Sequence, residues 1–193
     1  MRIISGKLKG KKLYTKENSS YRPMTGRIKE AVFSILSSGQ FLDPDTNKSV
    51  LEGAHSIDVF GGTGAITFEG ISRGLKRAII VEKDSASFDS LKKNIKALGL
   101  EQQVEALLGD ATYLPAAYLN CSIAFIDPPF GKNLVAPSVA SLVKRKWLTN
   151  DAILIIRTNL NEKFDITEFA QEIFSRKYNN SILSIHKVSL NND

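Results

Sequence analysis

Apolar residues in the body of this chain fall in short solid runs. Residues 56–60 and 104–108 carry Ser56, Asp58 and Glu105 among apolar neighbours, while 78–81, 123–126 and 152–156 are solidly apolar, four or five residues long and flanked by polar residues. Runs of this kind, apolar without alternation, mark strands buried on both faces. Between them the apolar positions move to helical spacing: 65–72, ending at Gly74; a stretch capped by Asp84 or Ser85 that runs to Leu98 and stops at Gly99; and 135–146. The segment 167–174 reads as partly helical. Upstream, Thr25 can cap a helix carrying Ile28, Val32, Phe33, Ile35 and Leu36, and 37–54 reads as a connection. The first thirteen residues look like a short hairpin or extended arm, and 174–178 and 181–188 flank Asn179-Asn180 as a terminal antiparallel hairpin. Alternating strands and helices predict a doubly wound α/β domain with a mostly parallel sheet, seven-stranded once the hairpin is counted. The expected organisation is an arm and helix over 1–36 ahead of a body over 37–193.

Composition narrows the setting. In 193 residues, 42% hydrophobic, no apolar stretch approaches the roughly 18 residues needed to span a bilayer. The single cysteine, Cys121, starts a strand, reads as a small buried hydrophobe and can close no internal disulfide, which fits a reducing cytoplasm. His55 and His186 form no ligand cluster, so no metal is expected. The net charge of +6 is uneven: residues 1–29 hold nine Lys or Arg and one acid, while the remainder is slightly acidic. A basic arm on a near-neutral body suits a polyanion, although charge alone fits a solvated tail equally well. Interleaved Gly6, Gly10, Tyr14, Tyr21 and Pro23 favour an ordered arm. Arg2, Lys11, Arg22 and Arg27 are the candidate phosphate contacts.

The chemistry-bearing residues follow the strands. Gly61-Gly62-Thr63-Gly64 joins the first strand to its helix, where a sharp turn and a close ligand call for glycine and the helix N-terminus favours an anion. Glu82 ends the second strand, where a carboxylate can accept from ribose hydroxyls. Asp110, with Ala111, follows the third, where it can accept from an adenine amine. Asp58 and Phe60 lie in the first strand, Asp58 near the expected place of a cationic amino group. A dinucleotide dehydrogenase shares the loop and Glu82, but its fingerprint asks for a third glycine where this chain has Thr67. Asp127-Pro128-Pro129-Phe130 follows the fourth strand. Two prolines cannot extend a ladder, so they stiffen a loop presenting a carboxylate, carbonyls and an aromatic face. Such a loop can grip a planar amine.

Together these motifs resemble the RsmD family of 16S rRNA guanine-N2 methyltransferases. The resemblance is carried by Met1-Arg2-Ile3-Ile4-Ser5-Gly6 with Lys9-Gly10-Lys11-Lys12-Leu13, by Arg22-Pro23 through Lys29-Glu30-Ala31-Val32-Phe33, by Asp58 through Gly64, by Glu69-Gly70-Ile71-Ser72-Arg73-Gly74 and by Asp127-Pro128-Pro129-Phe130. Ser5, Met24, Gly26, Gly61 and Thr63 depart from the family's usual residues, and none of these removes a group that carries chemistry. The resemblance implies the class I S-adenosylmethionine-dependent methyltransferase fold, which is Rossmann-like. It implies S-adenosylmethionine held by the glycine loop and Glu82, and a guanine held by the Asp-Pro-Pro-Phe loop. It implies 16S rRNA or an assembling small ribosomal subunit as partner. A cytoplasmic monomer is expected.

The chemistry then reduces to alignment, since the sulfonium methyl is already activated. Asp127 and the Pro128 carbonyl would accept the amine hydrogens, Phe130 would stack on the base, and the target would be unpaired or flipped out. Rival readings are a DNA adenine-N6 methyltransferase, which shares the exocyclic-amine chemistry, and a non-catalytic RNA-binding assembly factor that kept the fold.

Overall fold

A computed structural model describes residues 1–15 and 24–190. Seven strands form one sheet: β1 (His55–Asp58), β2 (Arg77–Glu82), β3 (Val104–Leu108), β4 (Cys121–Ile126), β5 (Leu148–Asn159), β6 (Ala170–Tyr178) and β7 (Ser181–Val188). Their order is β3-β2-β1-β4-β5-β7-β6. The first five are parallel, and β7 pairs antiparallel with both β5 and β6. The helices are α1 (Gly26–Leu36), α2 (Ala65–Ser72), α3 (Ser85–Leu98) and α4 (Val135–Lys144). Among the described residues, no helix is long and apolar enough to cross a membrane.

The central strands are buried on both faces, as their solid apolar runs require. Alternate residues of each strand feed two separate cores: Ile80, Ile123 and Phe125 pack with α1, α2 and α3, whereas Ile57, Ile79, Ala124 and Ile126 pack with α4. Helix ends follow local chemistry. The Thr25 hydroxyl accepts from the Ile28 N–H, the Asp84 carboxylate accepts from the Ser87 N–H at 2.7 Å, and Gly99 closes α3 at a φ of 66°. Cys121 is fully buried, and desolvation pushes its thiol up to about 12, so it behaves as a hydrophobe.

The first residues form a hairpin, with Arg2 bridged antiparallel to Lys12. It docks on the end of α2 through buried Glu69, whose carboxylate accepts from the N–H groups of Ile4 (2.9 Å) and Ser5 (3.0 Å) and pairs with Arg73. Gly6 is obligatory there: a Cβ would lie 1.9 Å from the Ser72 carbonyl oxygen. Lys29, counted with the arm's charge, is 1% exposed and lies 3.8 Å from Glu69, with desolvation lowering its pKa. It therefore belongs to the interior.

One element corrects the sequence reading. Residues 167–174 are not a partial helix; a turn gives way to β6 at Ala170. The apolar residues Ala170, Ile173 and Phe174 mimic helical spacing because the strand carries a register shift between Glu172 and Phe174, which breaks the period of two.

Candidate active site

The strand order reverses between β1 and β4, and the carboxyl ends of the parallel strands open there into a cleft of about 700 Å³. Asp58 of β1 pairs in register with Phe125 of β4, and the Val59 N–H donates to the Phe125 carbonyl. Two residues further along each strand stand Phe60 and Asp127. The glycine loop and the Asp-Pro-Pro-Phe loop are thereby forced onto adjacent strand ends, and Gly61, Gly62, Asp127 and Pro129 all line the one cleft.

On the glycine-loop side, close packing explains the residue types. A Cβ on Gly61 would lie 1.9 Å from Ile80 Cγ2, and Gly64 has a φ of 85° with the Phe68 ring 2.4 Å from any Cβ. Glu82 is held in place by its neighbours. One oxygen accepts from the Gly62 N–H and the other from the Asp84 N–H, each at 2.7 Å. The residue thus ties the loop to the start of α3. Asp110 also lines the cleft, beside Ala111. It accepts from the Thr112 N–H and hydroxyl and from Lys83 Nζ at 2.6 Å, and the lysine bond leads the causes that lower its pKa to about 2.

Asp58 is 1% exposed. Its Oδ2 accepts from the Thr67 hydroxyl at 2.9 Å, while Oδ1 has no hydrogen-bond partner among the described residues. Desolvation, the largest cause, and the nearby Asp127 charge raise its pKa to about 7. The site of the third-glycine departure, Thr67, thus serves as the donor beneath the cleft floor. A buried acid of this kind suits a cationic ligand group.

On the opposite side, Asp127 is 6% exposed and forms a bidentate pair with Arg157 of β5: Nε to Oδ1 at 2.6 Å and Nη2 to Oδ2 at 2.9 Å. The Arg157 guanidinium also lies over the Phe130 ring, 5.1 Å from its centroid. Pro128 is buried, whereas Pro129 and Phe130 are exposed. Sequence reasoning missed Arg157, although an arginine directly after the apolar run 152–156 signals a buried anion nearby.

The arm reaches the same cleft. Thr15 and Met24, which bracket residues 16–23, both line it. Buried Asn94 of α3 accepts from the Tyr14 N–H at 2.6 Å and donates to the Tyr14 and Thr63 carbonyls, joining the arm to the glycine loop. Of the candidate phosphate contacts, Arg2, Lys11 and Arg27 are exposed, Arg2 donating also to the Gly10 carbonyl, and Arg22 lies outside the described residues. Among the described residues no three His, Cys, Asp or Glu side chains gather as a metal centre would require.

Residues 1–187 match the family described as conserved hypothetical protein 95, the RsmD family. The chain belongs to that family. A relative from Rickettsia prowazekii, the uncharacterized methylase RP545, is 30% identical, with 98% of each chain covered. Another family relative, from Buchnera aphidicola of Acyrthosiphon pisum and named ribosomal RNA small subunit methyltransferase D, is 29% identical over 93% of this chain and 88% of its own. The Escherichia coli protein of the same name is 28% identical over 83% and 75%. Among solved structures, an RNA methyltransferase from Salinibacter ruber in complex with S-adenosyl-L-homocysteine superposes with a TM-score of 0.63 at 11% identity, covering 89% of this chain and 98% of that one. This family member has the class I methyltransferase fold, with the antiparallel hairpin at the C-terminal edge of the sheet.

Proposed function

We propose that this protein transfers a methyl group from S-adenosylmethionine to the exocyclic N2 of a guanine in 16S rRNA of the small ribosomal subunit. The observation that carries the reading is the shared cleft: a glycine loop with buried Asp58 on one wall, and Asp127 with its proline-stiffened loop on the other. Relatives named for small-subunit rRNA methylation, matched over most of this chain, support the substrate class.

The residues fit the cofactor. Asp58 Oδ1, buried and without a partner among the described residues, is an acceptor awaiting a cationic amino group. Glu82 is fixed where ribose hydroxyls would reach it, and Asp110 and Ala111 line the adenine side. When bound, the cofactor supplies an electrophilic methyl group on a sulfonium.

Everything else falls to the protein. The guanine amine is a poor nucleophile because its lone pair is delocalised into the ring. Asp127 and the Pro128 carbonyl accept its two hydrogens, which favours a pyramidal nitrogen and stabilises the positive charge that develops on it. Phe130 gives the base a stacking face, and the buried Asp127 can be reached only by a base that has left its helix. The amine proton leaves to water after transfer, so no tuned base is required. The basic arm, joined to the glycine loop through Asn94, contacts phosphate around the target.

The test is transfer of labelled methyl from S-adenosylmethionine to small-subunit particles, their naked RNA and duplex DNA. Label should enter RNA and not DNA. Asp127→Ala should reduce transfer by at least about 1000-fold while cofactor affinity stays within about 3-fold. Preferential labelling of DNA adenine, or near-normal turnover by Asp127→Ala, contradicts the reading.

A further inference from the structure

Directly behind Asp127 of the cleft stands a buried group with no role in the methyl transfer so far described. Arg157 ends the apolar run of β5 and is 5% exposed. It touches two of the groups assigned to the substrate at once: both oxygens of Asp127 and one face of Phe130. A second tie lies alongside, since the Gly131 N–H donates to Glu162 in the loop after β5 at 3.1 Å. β5 and the loop leaving it therefore clamp the catalytic loop at its start and at its end.

We propose that Arg157 is a positioning residue for base capture: its fork fixes the Asp127 carboxylate in one orientation while its plane covers one face of Phe130, leaving the other face for the base. The inference rests on the methyl-transfer reading. A planar guanidinium bonded to both carboxylate oxygens fixes the plane of the carboxylate, which a freely rotating acid could not hold. The amine therefore meets the carboxylate in that one fixed plane. Held in this way, Asp127 aims the amine toward the methyl group. Because one face of the Phe130 ring is already covered, an incoming base has a single stacking geometry.

The decisive variants are Arg157→Gln, which loses the charge, and Arg157→Lys, which keeps the charge and loses the fork. In single-turnover transfer to small-subunit particles, Arg157→Gln should slow the methyl-transfer step about 100-fold, with cofactor affinity and the RNA concentration dependence within about 3-fold of wild type. Arg157→Lys should fall between the two, slower than wild type by about tenfold. Transfer by Arg157→Gln within about 3-fold of wild type overturns the proposal, as does Arg157→Lys matching wild type. If Arg157→Gln loses cofactor binding through misfolding, Arg157→Lys decides by the same criterion. Wild-type protein that methylates no RNA would instead sink the functional reading, and the positioning role is then read without turnover. In a Phe130→Trp reporter, Arg157→Gln should shift the indole emission to longer wavelength and increase its quenching by acrylamide. Unchanged emission and quenching overturn the role.

Discussion

Asp58 couples the stability of the fold to pH. Its folded pKa is raised to about 7 from an ordinary 3.8, chiefly by desolvation. The folded state therefore holds a proton that the unfolded state has released between those values. Stability from this group is present below about pH 4 and is lost as pH rises through about 7. Asp58→Asn should flatten that decline, measured by chemical denaturation between pH 4 and pH 8, and should weaken cofactor binding about 10- to 100-fold. A cationic group placed beside Asp58 favours the carboxylate, so at pH 6 cofactor binding should release close to one proton, read by calorimetry in two buffers of different ionisation heat. No proton release at pH 6 would contradict the assignment. At this scale Asp58, the glycine loop, Glu82, Asp110 and Asp127 were legible because each lies in or just after an apolar run, where strand ends face ligands. Their partners were not. Arg157 is 30 residues from Asp127, and Asn94 is 80 from Tyr14, so only the folded chain joins them.

At the scale of elements, the N-terminal hairpin is tied to the body by charge as well as packing. Ile3 and Leu13 enter the core shared with α1 and α2, but the anchor is Glu69, fully buried and bonded to two hairpin N–H groups and Arg73, with Lys29 at 3.8 Å. Glu69→Ala would leave Lys29 buried without its counter-charge. It should cost about 3–5 kcal/mol in denaturation and expose the hairpin to protease. A loss below about 1 kcal/mol would show that packing alone seats the hairpin. The sequence revealed the hairpin and its glycines but not this anchor, because an acid within a helix reads as solvated until the opposite element is known. The same blindness to partners produced the error at 167–174. A bulged edge strand spaces its apolar residues irregularly, and only its pairing with β7 identifies it as a strand.

For the whole molecule, charge and topology converge on one edge of the sheet. The strand reversal at β1 and β4 opens the cleft, and Thr15 and Met24 bring both flanks of the basic segment to its rim. The sheet was legible almost completely, since parallel strands buried on both faces announce themselves by composition, whereas the convergence of arm and cleft depended on contacts between distant residues. On the proposed function, a polyanion drawn to the arm arrives beside the cleft, with cofactor on the glycine-loop wall and the exocyclic amine on the Asp127 wall. The most direct measurement is mass spectrometry of nucleosides from small-subunit rRNA of cells with the gene, without it, and carrying Asp127→Ala. Guanine methylation in this cleft predicts that one N2-methylguanosine disappears in the second and third and is restored by the wild-type gene. An unchanged set of methylated guanosines in cells lacking the gene, or loss of a methylated adenosine instead, would contradict it.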